Sequence, residues 1–403
     1  MEGTVLFVGA GRHQRRAIER ARGLGLRVAA VDRNPEAAGL AVADAPHVVD
    51  FSDVERVLEI GRSEEVDGVL TVSADRAVPI VAEIADRLGL PGIGAETAHA
   101  MTNKIAMRRR LAERGVPQPR FAAVRDLRGA RVGLETVGLP AVLKPVDSGG
   151  QRGVFRLESV DDVEAHLHAA LVESSTGEAI VESFHEGLEL NGLAVVRGGE
   201  VRVLTLSDRL RPPGIGFGVG WTHVYPTTLF ADALERAEEA AVTAVHALGL
   251  RDGIAFPQLI VEEDGEPYVL EVAARIPGGQ MADLAHHAVG LDLVEIALRQ
   301  ALGLDVPDEL VTPKRSQPLA IKFLTASPGP LSTGRVRSVG TLEKVLAFPG
   351  VVQAEVYAQP GETIRPVRLD GDRRGYVIAV AETNLEALER AEAAARLIDV
   401  VVE

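Results

Sequence analysis

The chain has 403 residues, 46% hydrophobic and 25% charged, with a formal net charge of −15 and no cysteine. Its length exceeds one ordinary core and favours two or three domains. The acidic balance argues against nucleic acid and anionic membrane surfaces as partners, no apolar run approaches the roughly 20 residues needed to span a bilayer, and the lack of cysteine excludes disulfides, thiolate metal sites and thiol nucleophiles.

The N-terminus, MEGTVLFVGAGR, has neither a basic start nor a long apolar segment, so it reads as a first strand and not as a leader. With no cysteine and no leader, the cytoplasm is the expected compartment. Residues 4 to 9 (TVLFVG) predict a buried strand, 13 to 24 a helix, and 26 to 32 (LRVAAVD) a second strand. The alternation continues through VDGVLTVS and a helix near 77 to 88, which is the pattern of a parallel sheet with helical crossovers. The turn GAGRHQ begins like a dinucleotide fingerprint, but Gln14 occupies the third glycine position; Asp32 ends the second strand where a ribose-binding acid would sit. A tight turn in a Rossmann-like sheet is preferred here over nucleotide binding.

From Thr102 the texture changes. A helix carrying Lys104 (TNKIAMRRRLAERG) ends at Gly115, and the prolines of VPQPRF force extended chain, so a domain boundary is expected near residue 100. The arginine run 108 to 110 reads as a solvated helix face. Segments 139 to 157 and 178 to 206 predict strands around glycine-rich turns, with a helix near 160 to 174, giving a small α+β lobe.

In LPAVLKPVDSGGQRGV a strand delivers Lys144 and then breaks into a loop containing Ser148, Gly149, Gly150 and Gly153. Glycines let backbone N–H groups approach an anion closely, and a lysine adds a point charge. The loop suits a polyphosphate; the competing reading is a flexible hairpin with a surface lysine, and the Walker spacing GxxxxGK[ST] is absent. In AIVESFHEGLELNGLAVV an apolar strand runs into Glu182 and Phe184 and restarts beyond Glu189, an arrangement that can hold an adenine edge and ribose hydroxyls or form an exposed hairpin. The only tryptophan, Trp221, stands in GFGVGW next to His223, as a pocket wall or as a core anchor.

GIAFPQLIVEEDGEPYVLEV predicts two strands joined at Glu263-Asp264-Gly265-Glu266, which sets Gln258 opposite Glu271. Oxygen ligands at such a pair suit Mg²⁺. Arg275 follows Glu271 by four positions in YVLEVAARIPGG. Asp283 reads as a surface acid, with an amine contact as the alternative. His286 and His287 are adjacent and about 100° apart on a helix, so they are ordinary helix residues and not a metal pair. After about residue 312, strands near 318 to 325, 351 to 358 and 375 to 382 precede a closing helix, opened by a capping box of Thr383 and Glu386.

Together, Lys104, Lys144 before its glycine loop, the hinge VExFxxGxE from Val181 to Glu189, and QLIVxxDGxPYVLEVxxR from Gln258 to Arg275 resemble the ATP-grasp superfamily over roughly residues 1 to 310. The resemblance implies an α/β and α+β multi-domain fold. A Rossmann-like N-terminal domain (1–100) is followed by ATP-grasp lobes (101–311, small lobe about 115–185) and a small α+β C-terminal domain (312–403). EVAARIPGG, GWTHVYP, and the C-terminal PGxIR-like and GYVIAVAET segments look most like the L-amino-acid ligases.

By that resemblance Lys104 and Lys144 hold ATP phosphates, the Ser148 to Gly153 loop covers them, Glu182 and Phe184 meet adenine, and Glu189 takes the ribose. Glu271, with Gln258, holds Mg²⁺; Arg275 steadies the transferring phosphoryl group, and His223 lies on the substrate side. The implied reaction joins a carboxylate and an amine, both from amino acids, through an acylphosphate, with a homodimer admitted as an assembly. Many members have glutamate in place of Gln258 and asparagine in place of Ala273, so a differently completed metal site is expected here. The alternatives are a carboxylase-like or carbamoyl-phosphate-like enzyme using bicarbonate, and a nucleotide-binding protein without turnover.

Overall fold

The computed structural model describes residues 1–211 and 219–403. Near-continuous apolar runs form β1 (Thr4–Val8), β2 (Arg27–Asp32), β3 (Ala45–Val48) and β4 (Gly68–Leu70), a wholly parallel sheet in the order β3-β2-β1-β4. Val5 to Val8 are completely buried, as expected for a parallel strand covered on both faces. The covering helices are α1 (Arg12–Gly23), α2 (Val54–Ser63) and α3 (Val78–Leu88). The turn after β1 is held by its own side chains. Gln14 donates to the Val72 carbonyl, and Asp32 accepts from the N–H groups of Ala10 and Asn34, both at 2.9 Å. The turn is tight, with the Asp32 carboxylate committed to loop backbone.

A short α4 (Ala95–Ala100) leads into α5 (Lys104–Glu113), capped by Asn103, whose side chain accepts from the N–H groups of Ile105 and Ala106. Arg108 corrects the solvated-face reading. It is 1% exposed, whereas Arg109 is exposed and Arg110 pairs with Glu96. The small lobe comprises β5 (Phe121–Val124), α6 (Leu127–Val137), β6 (Ala141–Pro145), β7 (Phe155–Leu157), α7 (Asp161–Glu173) and β8 (Ala179–Ser183). Its antiparallel sheet has the order β5-β8-β6-β7.

The large sheet begins with β9 (Leu188–Arg197), β10 (Glu200–Leu210), β11 (Thr222–Tyr225), β12 (Gly253–Val261) and β13 (Pro267–Ala273). Between β11 and β12 runs α8 (Ala231–Leu248). Its alanines at 233, 237, 240, 241 and 244 are buried, so the helix lies close on the sheet, and Gly249 ends it in the left-handed conformation. The C-terminal unit adds β14 (Leu319–Phe323), β15 (Gly334–Val339), β16 (Val351–Val356), β17 (Thr363–Ile364), β18 (Gly375–Val380) and β19 (Val400–Val402). Only some of its strands form a sheet apart. β14, β18 and β16 extend the large sheet to eight strands, in the order β13-β12-β9-β10-β11-β14-β18-β16. β17, β15 and β19 form a separate three-stranded sheet.

Trp221 is the core anchor of the two alternatives, packed with Val219 and Val367; positions 216–218 of GFGVGW lie outside the described residues. The closing helix is capped by Thr383, which accepts from the Glu386 N–H, but the Glu386 carboxylate takes the N–H of Glu382, one residue before the expected partner. Among the described residues no helix is long and apolar enough to cross a membrane.

The link from β8 into β9 passes against β12 at Gly187. A Cβ there would stand 2.1 Å from the Val261 carbonyl oxygen and 2.7 Å from its carbon, backbone atoms held in the β9–β12 ladder. Gly187→Ala is expected to destabilise the protein by about 1–3 kcal/mol, read as a lower urea midpoint. An unchanged midpoint would show that the strands separate without cost.

Candidate active site

A cavity of about 380 Å³ lies where the small lobe, the large sheet and the N-terminal domain meet. Its small-lobe wall is an ion cluster. Glu182 on β8 accepts from Arg108 Nε at 2.8 Å and from Lys144 Nζ of β6 at 2.7 Å. The remaining Arg108 N–H groups reach the carbonyls of Val269 (3.0 Å) and Leu270 (2.6 Å) on β13. Burial would raise the Glu182 carboxyl, but the charges of Arg108 and Lys144 outweigh it and hold the pKa down at about 2. Burial lowers the Lys144 ammonium below the usual lysine value, despite the carboxylate beside it. The Glu182 side chain therefore serves the cluster, and both it and Phe184, which lies under the Arg156 guanidinium at 4.1 Å, line the cavity.

The glycine loop faces this cluster. Lys104 Nζ donates to the Ser148 carbonyl at 2.9 Å, and the Ser148 hydroxyl, of a residue that lines the cavity, is buried with no partner among the described residues. Gly149 sits where a Cβ would come within 2.5 Å of Asp75 Oδ2, so only glycine lets the loop approach the N-terminal domain. Gly150 lines the cavity, whereas Gly153 packs back against Pro145 and Glu173.

Gln258 and Glu271 are register partners on β12 and β13, as the hairpin turn predicts, with a bulge between Gln258 and Leu259. Lys104 Nζ lies 3.5 Å from Glu271 Oε1. Burial would raise the Glu271 carboxyl, but Lys104, Lys144 and Arg275 draw it below its usual value. Among the described residues no group of three or more His, Cys, Asp or Glu side chains could hold a metal. Arg275 is held by Asp75 of the N-terminal domain, with Nη2 and Nε at 2.6 and 2.7 Å from Oδ1.

At the other end of the cavity, Glu189 pairs with Arg209 and Arg211, each at 2.6 Å. His223 on β11 packs edge-on against Phe323, and Arg373 lies beside them, its guanidinium 4.0 Å from the Phe323 ring centroid. Burial, with Arg373 and Arg209 nearby, pushes the His223 pKa well below its usual value, so the ring is neutral. Asn191 on β9 lies between His223 and Gln258 at 3.0 Å from each.

Sequence reasoning missed Arg108, Asp75, Asn191 and Arg373. Arg108 carried a signal, since it follows Lys104 by four and so shares its helix face; Asn191 follows Glu189 by two on one strand. Asp283 pairs with Arg16, and His287 bonds Gln353, outside the cavity.

Residues 103–309 match the carbamoyl-phosphate synthase L chain ATP-binding domain, 18–92 the ATP-grasp N-terminal domain, and 329–403 the L-amino acid ligase C-terminal domain 2. A formate-dependent phosphoribosylglycinamide formyltransferase from Ignicoccus hospitalis is 30% identical over 411 residues, 98% of this chain and 96% of its own. The Sinorhizobium fredii protein y4rH is 28% identical over 335 residues, 81% of this chain; the chain spans 66% of its length, just under two thirds. The L-amino acid ligase from Bacillus licheniformis has the same fold, with a TM-score of 0.86 at 21% identity over 100% of this chain and 99% of its own.

The Glu182 cluster has a pH signature. Its folded pKa of about 2 lies below its ordinary 4.5, so its stabilisation is complete above pH 4.5 and is lost as pH falls from 4.5 toward 2. Glu182→Gln is expected to cost about 3 kcal/mol at neutral pH, with the gap to the parent protein narrowing through that window. Urea midpoints measured against pH check this; a gap that stays constant would mean Glu182 contributes no titrating stabilisation.

Proposed function

The chain belongs to the ATP-grasp family of carboxylate–amine ligases, and on that premise we propose that it joins the carboxylate of one amino acid to the amine of another through an acylphosphate, releasing ADP and phosphate. The domain limits are proposed at residues 100 and 311. One observation carries the amino-acid reading. The unit matching the L-amino acid ligase C-terminal domain sends Arg373 into the cavity, where it bonds the Gly220 carbonyl at 2.6 Å and lies over Phe323 beside His223.

The residues fit Mg·ATP. Lys144, Lys104 and the Ser148 hydroxyl would take phosphate oxygens, and Glu271 with Gln258 would supply two protein oxygens to a cation that commonly shares its remaining positions with water and phosphate. Bound Mg²⁺ would neutralise phosphate charge during transfer. Arg275 would exchange Asp75 for an oxygen of the phosphoryl group in flight, because charge on that group must be balanced from several sides. A neutral His223 is suited to hydrogen bonding at the substrate and not to binding an anion by charge.

A second reading keeps the chemistry and changes the substrates: formate as the carboxylate and a phosphoribosyl amine as the nucleophile. It is favoured by the name of the Ignicoccus hospitalis relative, which covers nearly the whole chain. ADP release measured with amino-acid pairs, with formate plus phosphoribosylglycinamide, and with bicarbonate separates the readings. Stimulation only by the second or third set would sink the amino-acid assignment.

Carboxylate labelled with ¹⁸O is expected to yield phosphate carrying one label, with ADP as the nucleotide product, since amine attack expels the bridging oxygen within phosphate. Label in AMP would overturn the acylphosphate route. Glu271→Gln is expected to lower turnover about 100-fold or more, roughly 2.7 kcal/mol of barrier; steady-state rates at saturating Mg·ATP check this, and full activity would remove Glu271 from the metal site.

A further inference from the structure

Asn191 is 1% exposed and its two amide ends are both occupied. Oδ1 accepts from Gln258 Nε2 at 3.0 Å, and Nδ2 faces His223 Nδ1 at 3.0 Å. A side-chain amide has one accepting end and one donating end. With the Asn191 oxygen already accepting the Gln258 N–H, its nitrogen must donate to His223. A ring nitrogen that accepts carries no hydrogen, so the imidazole proton sits on Nε2. Nε2 is directed toward Gly279, where a Cβ would come within 3.2 Å, and the glycine leaves that N–H open to the cavity both residues line.

We infer that Asn191 is a positioning residue that transmits the direction of the Gln258 amide to His223 and fixes the histidine as a hydrogen-bond donor through Nε2. Its role toward substrate rests on the ligase reading: the N–H would bind a substrate carboxylate or the carbonyl oxygen on which charge develops during amine attack. His223 is then not the base that takes the amine proton.

The relay also gives a meaning to Gln258. Its amide nitrogen is committed to Asn191, which leaves the amide oxygen as the end available to a cation. A glutamate at 258 has no N–H to give. It would accept from Asn191 Nδ2, turn Asn191 Oδ1 toward His223, and require the proton to move to Nδ1, making Nε2 an acceptor. One substitution two hydrogen bonds away thus inverts what the histidine offers the cavity.

Full-length protein labelled with ¹⁵N at its 10 histidines, read by long-range proton–nitrogen correlation without ligands, tests this, with His223 assigned by the signal lost in His223→Gln. The parent protein is expected to show the Nε2–H pattern and Gln258→Glu the Nδ1–H pattern. Asn191→Asp, which can only accept, is expected to show Nδ1–H as well, and to lose about 10²-fold in kcat for amide formation with KM for ATP unchanged. An Nδ1–H pattern in the parent, or the parent pattern retained in Gln258→Glu, overturns the relay. Because the tautomer is read without substrate, inversion in a protein that forms no amide would support the relay and sink the ligase reading.

Discussion

The position of one buried carboxylate governs the rest of the site. Glu182 lies in the sheet of the small lobe with almost no access to water, and an ionised group there costs several kcal/mol unless it is fully paired. Its partners come from α5 and β6, and the arginine among them also binds two carbonyls of β13. Satisfying that single charge therefore brings four elements to one point. Glu271 immediately follows Leu270, and Lys144 is itself a member of the cluster, so the proposed cation acid and the proposed phosphate lysine are located by the same requirement that keeps Glu182 ionised.

The other acids of the cavity obey the same rule. Asp75 holds Arg275, Glu189 holds Arg209 and Arg211, and Glu271 lies against Lys104. A polyphosphate that takes Lys104 or Arg275 displaces a carboxylate, and the cavity keeps its charge balance only when a cation arrives with it. On the proposed reading, ATP enters together with Mg²⁺ because of this compensation as much as because of any single ligand.

Much of this was legible in the chain itself because it depends on short-range rules. The turn near 263–266 makes the hairpin legible, and a bulge between Gln258 and Leu259 completes the register that sets Gln258 against Glu271. The parallel first sheet follows from its apolar runs. Arg108 was missed because three successive arginines sweep over half of a helix circumference, and only its spacing of four from Lys104 marks it as the one on that residue's face. Asp75 meets Arg275 across 200 residues of sequence, and Arg373 meets Gly220 across 153. Neither pairing has a local signature. The joining of β14 to β11 is of the same kind, an edge-to-edge match that no periodicity within either strand encodes.

That joining reaches beyond architecture. His223 lies on β11, hydrogen-bonded on one side to β10 and on the other to β14, with His223 opposite Ile321. The residues proposed to face nucleotide lie on the far strands, on α5 and on the small lobe. If the C-terminal strands peel away, β11 becomes a sheet edge and loses half its backbone partners, while the Glu182 cluster is untouched. Partial unfolding from that end would leave a protein that still grips nucleotide but no longer shapes the substrate wall, so ligand-binding assays and turnover assays would report different midpoints for the same molecule.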